Sequence, residues 1–293
     1  MPDHPLAEVF GFPSDNNSER AVRYRKNRLC PYNNRVANCT KDKANDPLGV
    51  CSILDAHNNL VITCPIRFRQ DWIITDDAAA FFFPPGTTWT SLTEVRLNDR
   101  HGKSAGNVDI VLVSYDQRGH ILDFGSLEIQ AVYISGNVRR PFEHYMQDPL
   151  ANHAMDWSRQ RNYPRPDYLS SSRKRLVPQL IYKGGILKSW NKRQAVVLHR
   201  GFYDTLPDLI EVTSEEADMV WLVYDLAMDP TQNQYQLTLH HAVHTLFRPA
   251  LDQIVTPEPG PVDEFIDLLQ EKLDAKLEND ENAPDAPTLA DLL

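Results

Sequence analysis

Two apolar runs carry acids where acids are costly. Asn107-Val108-Asp109-Ile110-Val111-Leu112-Val113 sets one carboxylate at the entrance of a strand, and Leu127-Glu128-Ile129-Gln130-Ala131-Val132 places a second carboxylate and an amide on the next. Asp116-Gln117-Arg118-Gly119 between them is a turn. Antiparallel pairing about that turn brings Asp109 within a residue or two of Glu128, and cross-strand neighbours on one face lie about 5 Å apart. Glu128 and Gln130, two apart on a strand, share that face. Buried carboxylates repel unless a cation sits between them. The fitting ion is hard and oxygen-seeking: Mg²⁺, with coordination sites left for water and a phosphate. The alternative is an acid pair facing solvent at a strand end.

The four cysteines, Cys30, Cys39, Cys51 and Cys64, all fall within one stretch of the chain. Clustered soft thiolates in a segment with little apolar content suit a tetrahedral Cys₄ metal site. Their spacings are wider than those of zinc ribbons, so free buried thiols stay open as a second reading. Thiolates bind zinc or iron, and spacing does not choose between them. With four protein ligands such a metal stabilises the fold and has no open position for catalysis.

The elements that must position these groups follow from periodicity. Residues 1–70 are rich in Asn, Pro and Cys, with little sustained apolar pattern, and read as a metal-binding segment. Residues 71–250 read as an α/β (α+β) core, with strands at Val108 to Tyr115, Ile121 to Ile134, Ala195 to His199, Met219 to Leu226 and Tyr235 to His241. Gln179-Leu180-Ile181-Tyr182 opens a helical stretch toward Trp190, within a basic insert over 138–200. Residues 251–293 read as a Pro-rich linker and a helix whose stripe is Val262, Phe265, Ile266, Leu269, Leu273 and Leu277, expected to pack against the body or a partner subunit, then a frayed acidic tail.

The chain has 293 residues and a net charge of −10. Twelve acids against Lys272 and Lys276 after Leu251 account for that whole charge, so the rest is neutral overall. Within it, 138–200 holds thirteen Lys or Arg against four acids, and 18–43 holds eight against two. Two basic blocks on a neutral body fit a polyanion partner, although solvated helix faces give the same pattern. No apolar run is long enough to span a bilayer, and Met-Pro-Asp-His-Pro has no secretion-signal pattern, so a cytoplasmic protein with no membrane partner is expected. No Gly-x-Ser-x-Gly, phosphate-cradling Gly loop or His-Glu-x-x-His is present, which argues against serine hydrolases, nucleotide hydrolases and zinc proteases. His240, His241 and His244 lack an accompanying acid or Cys at ligand spacing and read as ordinary histidines.

An Asp opening a strand and an acid-x-polar triplet on the next resembles the PD-(D/E)xK nuclease fold, a mixed sheet flanked by helices. Asp109 and Glu128 match its acids. Gln130 stands where most of the superfamily has Lys, and Val108 replaces the motif Pro. Glu94, in Ser91-Leu92-Thr93-Glu94-Val95-Arg96, is expected on a helix ahead of the hairpin, where the superfamily often carries another acid. Together with Cys30-Pro31-Tyr32-Asn33-Asn34, Cys39 to Cys51 and Thr63-Cys64-Pro65, this site is similar to the NotI-type restriction endonucleases, most closely over residues 5–135. The resemblance implies a single structural iron, rather than zinc, on the four thiolates, and Gln at the lysine position as normal. It also implies a homodimeric type II enzyme that cuts GC-rich palindromic double-stranded DNA, on a GGCC centre, with Mg²⁺, leaving 5′-phosphate ends. A cognate DNA methyltransferase would be a genetic rather than a physical partner.

On that reading Asp109 and Glu128 hold Mg²⁺ with help from Glu94, and Gln130 positions the nucleophile. Arg is the planar fork for guanine O6 and N7. Arg20, Arg23, Arg25 and Arg28 before Cys30, and Arg139, Arg140, Arg161, Arg173 and Arg175 after the hairpin, are the candidate DNA contacts, with Arg159 and Arg165 nearby. Lys183, before Gly184-Gly185, has two readings, a reach to the phosphate and an ordinary surface lysine, of which the second is preferred. Two rivals remain: a repair or mobile-element nuclease of the same fold, and an inert metal-stabilised DNA-binding protein.

Overall fold

The computed structural model describes residues 2–43, 45–257 and 259–278. The described residues fall into two units, one up to Val255 and one from Thr256. In the first, β1 (Leu6–Val9), β2 (Phe12–Pro13), β3 (Val50–Leu54) and β4 (Leu60–Ile62) make an antiparallel sheet in the order β2-β1-β3-β4. The expectation of little apolar burial before residue 70 is corrected here. Leu6, Val9, Phe10, Val50, Ile53 and Val61 are buried in the same core as Val196, Leu198 and Trp221 of the larger sheet. Short apolar runs broken by Asn and Pro do not show a period, yet each buries its few large side chains against a neighbour supplied by another part of the chain.

The larger sheet is mixed and six-stranded. Its strands are β5 (Trp89–Asn98), β6 (Ser104–Tyr115), β7 (Ile121–Gln130), β8 (Gln194–His199), β9 (Met219–Asp229) and β10 (Gln234–Thr245). They lie side by side in chain order. The first three form an antiparallel meander, β7, β8 and β9 run parallel, and β10 returns antiparallel. The predicted strands are all present, except that the second ends at Gln130 and Tyr133–Ser135 pairs elsewhere. The turn between β6 and β7 has the predicted chemistry: Asp116 Oδ1 accepts from the amides of Arg118 and His120, and Gly119 takes φ +81°. Asp99 does the same for the β5–β6 turn through His101 and Lys103.

Helices flank the sheet. The helix α1 (Glu19–Lys26) is capped by Ser18, whose hydroxyl accepts from the Ala21 amide. On one sheet face lies α2 (Ile73–Phe82), burying Ile74, Ala78 and Phe82 against Leu127, Ile129, Val197 and Leu222. Gly125 makes that approach possible, since a Cβ there would stand 2.4 Å from the Phe82 ring. The opposite face, carrying Val196, Leu198 and Trp221, packs on the amino-terminal sheet, on α3 (Arg139–Gln147) and on α4 (Phe247–Val255). Strand alternation therefore gives β7 two characters: Leu127 and Ile129 face α2, while Glu128 and Gln130 point the other way.

Residues 168–189 form one helical run in which α-turns alternate with π-turns, Ser172–Leu176 and Leu180–Gly184. Pro178, within it, has no amide to donate, and π-turns shift the phase of every side chain beyond them. In the second unit, α5 (Val262–Glu278) exposes Val262, Phe265, Ile266, Leu269, Leu273 and Leu277, the predicted stripe. The tail beyond it, read as frayed, lies outside the described residues. Among the described residues no helix is long and apolar enough to cross a membrane.

Candidate active site

Strand register assembles the acids. Ile110 pairs with Leu127, so one step further along the β6–β7 ladder Asp109 faces Glu128. Thr93 pairs with Ile110 and Val95 with Val108, which sets Glu94 opposite Asp109 on the other side. Glu94, Asp109 and Glu128 thus form one row across three adjacent strands. The expectation of a helix at Glu94 is corrected: it lies in β5, with a left-handed backbone at φ +57° that interrupts the pairing. A non-glycine residue in that region is strained, and such strain concentrates at functional sites.

The row differs in environment from end to end. Glu94 is exposed, with Arg69 Nη2 at 3.9 Å from its Oε1. Asp109 accepts a 2.8 Å bond from the Ile129 amide, and burial and the Glu94 charge push its pKa up, against that bond and Lys183. Glu128 is buried, and burial and the Asp109 charge raise its pKa to about 8, with Lys183 pulling the other way. Its Oε2 accepts from Lys183 Nζ at 2.6 Å, while Oε1 is buried with no hydrogen-bond partner. An orphaned carboxylate oxygen beside a second acid is the place a hard cation fits. Among the described residues no three His, Cys, Asp or Glu side chains stand close enough, as placed, to hold a metal. Gln130 is buried on the same face and donates to the Ala131 carbonyl at 2.8 Å.

Two cations at this site are not evident from sequence. Lys183 is not a surface lysine: it is buried, 55 positions from Glu128, and donates also to the Asn107 carbonyl at 2.8 Å. Arg69 is buried, with Nε unpartnered. The signal for Arg69 is its place in Cys64-Pro65-Ile66-Arg67-Phe68-Arg69, which ties the cysteine segment to the acid row. Lys183 is marked only by the following Gly184.

The cysteines converge. All four line one small cavity with Tyr32 and Arg67 and are free of disulfides, but among the described residues no three of them stand close enough to hold a metal. Backbone pairing of Cys30 with Ala37 and of Cys39 with Arg28 closes the first loop, Cys51 lies in β3, and Cys64 precedes the 3₁₀ turn Pro65–Trp72. Burial and the neighbouring thiols raise the Cys30 pKa to about 12 and push Cys51 up.

Of the arginines, Arg20, Arg23, Arg140, Arg161, Arg173 and Arg175 are exposed, with Arg175 over the Tyr133 ring at 5.0 Å. Arg28 and Arg139 both grip Asp46, at 2.7 and 2.9 Å, bracing the loop between Cys39 and Cys51. Arg25 is placed differently from the others: it is buried, bonding the Asn16 and Pro13 carbonyls at 2.7 and 2.6 Å under Tyr145, which commits it to packing. His241 packs edge-on against Tyr203, and His244 against Phe81.

The sequence profile of the family described as restriction endonuclease NotI matches residues 16–237, a span that contains the four cysteines and the acid row. The chain belongs to the NotI restriction endonuclease family. Membership supports, at family level, a restriction endonuclease that acts on specific sites in DNA. The amino-terminal strand β1 and the second unit lie outside the NotI match. No curated protein matches the chain.

Proposed function

We propose that this protein is a type II restriction endonuclease that makes Mg²⁺-dependent double-strand cuts at a GC-rich palindromic site and leaves 5′-phosphate ends. The observation that carries the proposal is the Glu94–Asp109–Glu128 row with the orphaned Glu128 oxygen beside it. The sheet would serve as a PD-(D/E)xK core. Asp109 and Glu128 would hold Mg²⁺, with Glu94 assisting, and the pairing of a half-buried with a buried carboxylate fits that role. Bound there, Mg²⁺ supplies a more acidic water and offsets charge on the scissile phosphate. Gln130 orients the attacking water by hydrogen bonding. Exposed Arg20, Arg23, Arg140, Arg161, Arg173 and Arg175 engage phosphates and guanine edges. A homodimer matches a palindrome by symmetry. A methyltransferase protects the host as a genetic partner, and the protein acts in the cytoplasm.

Digestion of long duplex DNA with Mg²⁺ should give discrete bands, and sequenced ends should share one site with 5′-phosphates. Smeared products or cleavage confined to branched DNA would favour a repair or mobile-element enzyme, and no cleavage at all an inert DNA-binding protein.

Protons compete with the cation. Glu128 must lose its proton to bind a metal, so below about pH 8 the Mg²⁺ needed for half-maximal cleavage should rise about tenfold per pH unit. The same raised pKa works against the metal-free fold. The unfolded acid ionises near 4.5, so stability should fall as pH rises from there to about 8, and Mg²⁺ should restore it. Melting curves across that window, with Asp109, Glu94, Arg69 and Lys183 all left in place, check the sign. A half-saturation independent of pH would contradict it.

The four thiols line one cavity, and thiolates suit iron and zinc alike; iron is put before zinc on the family resemblance. Cys39→Ser should release the bound metal, from about one atom per chain to well under half, and loosen the segment before residue 70. Metal analysis that finds the stoichiometry unchanged would refute the Cys₄ assignment.

A further inference from the structure

Gln130 cannot carry the positive charge that a lysine would bring to the acid row, yet a lysine is present. Lys183 Nζ stands 2.6 Å from Glu128 Oε2 and 2.8 Å from the Asn107 carbonyl, two residues from Asp109 on β6. Its delivery depends on two local features. The π-turn Leu180–Gly184 sets the phase of the helical run so that Lys183 points inward while Ile181 and Tyr182 are exposed. Gly184 lets the run sit against its supports, since a Cβ there would lie 2.6 Å from Phe247 and 2.9 Å from Gln194 Oε1. The same helical run exposes Arg173 and Arg175, candidate DNA contacts, about two turns earlier.

We propose that Lys183 is the positioning lysine of this site: from a distant helical run it occupies the charge position that the motif lysine vacates at 130, fixing Glu128 by Oε2 so that Oε1 is free for the cation. The proposal rests on the nuclease reading and deepens it. A buried ammonium this close also limits how far Glu128 can swing, and it places a fixed positive charge inside the acid row without reorganisation during the reaction. A lysine that served only as a counter-ion for folding would make the same contact, so the test must separate the two roles.

Lys183→Met should lower the single-turnover cleavage rate about 100-fold or more. Ca²⁺ binding to the protein on uncut duplex, followed by calorimetry, should stay at least as tight as in the wild type, because removing a positive charge favours a nearby cation. Adding Gln130→Lys to Lys183→Met should recover at least about tenfold of the rate, since position 130 lies on the same face of β7 as Glu128. A purely structural role predicts instead that rate and Ca²⁺ affinity fall together and that Gln130→Lys rescues nothing. Either of these results overturns the proposal, as does a Lys183→Met rate within about threefold of wild type. Should Lys183→Met not melt cooperatively, the double variant decides: recovered cleavage supports the proposal, and inactivity overturns it. Absence of any wild-type cleavage would sink the nuclease reading beneath it, a result distinct from all of these.

Discussion

Glu128→Gln is expected to lower DNA cleavage about 1,000-fold or more while leaving the fold intact. The side chain brings three things to one point: an oxygen held by Lys183, an orphaned oxygen for a cation, and a negative charge opposite Asp109. Gln keeps the shape and can still accept from Lys183, so the ammonium is not stranded. It removes the charge on which cation binding depends, and charge stabilisation by a metal accounts for several kcal/mol of barrier, each 1.36 kcal/mol being tenfold in rate. Glu128→Ala should lose as much activity and in addition leave Lys183 with only the Asn107 carbonyl. DNA affinity without divalent ions should change little in either variant, because the exposed arginines are untouched. Gel-shift and single-turnover assays check both. A Glu128→Gln enzyme that cuts within about tenfold of wild type would remove Glu128 from the chemistry.

The second large effect concerns stability. Arg67 and Glu8 are fully buried, with Arg67 Nε 3.0 Å from Glu8 Oε1. Around them the polar groups are satisfied: Arg67 donates to Gln70 Oε1 and to the Tyr235 carbonyl, both at 2.8 Å, and lies over the Tyr32 ring, while Ser52 donates to Glu8 Oε2. Breaking such a pair strands the remaining charge, at a cost of about 3–5 kcal/mol. For a unit of this size that corresponds to a fall in melting temperature of roughly 6–20 °C for Arg67→Ala. Replacing both partners, as in Glu8→Met with Arg67→Met, should recover much of the loss, since no buried charge is left. Calorimetry of the three variants checks this, and an Arg67→Ala midpoint within about 2 °C of wild type would contradict it. The pair matters to the site as well as to the core. It anchors the turn Pro65–Trp72, which carries Cys64 at one end and brings Arg69 toward Glu94.

The hairpin was legible because each of its signals is local. Asp116 and Gly119 mark the turn, β-branched residues alternate with acids, and a two-residue period fixes which side chains share a face. Once the turn is placed, counting brings Asp109 within a residue or two of Glu128; the exact pairing depends on the register shift between Ser114 and Tyr115, which no local signal announces. Glu94 reads as an acid near the site but on a helix, because Leu92 and Val95 are three apart, as on a helix face, and no local pattern announces a left-handed residue in a strand. Lys183 is only partly legible, since Gly184-Gly185 after it allows a reach toward phosphate but does not show its pairing with Glu128. Its role depends on a π-turn and on a partner 55 residues away, and neither leaves a trace in nearby sequence. Arg25 shows the limit of charge counting: it belongs to a basic cluster, yet its guanidinium is spent on main-chain carbonyls. In the same way Glu8, Arg67 and Gln70 look like unremarkable polar residues until tertiary packing brings them together.

Crystals soaked in Mn²⁺, with an anomalous difference map, address the centre of the account most directly. It predicts one strong peak between the Asp109 carboxylate and Glu128 Oε1, absent in a Glu128→Gln crystal treated identically. A protein that cuts DNA under the same ions but shows its peak elsewhere, with 109 and 128 uncoordinated, would contradict it.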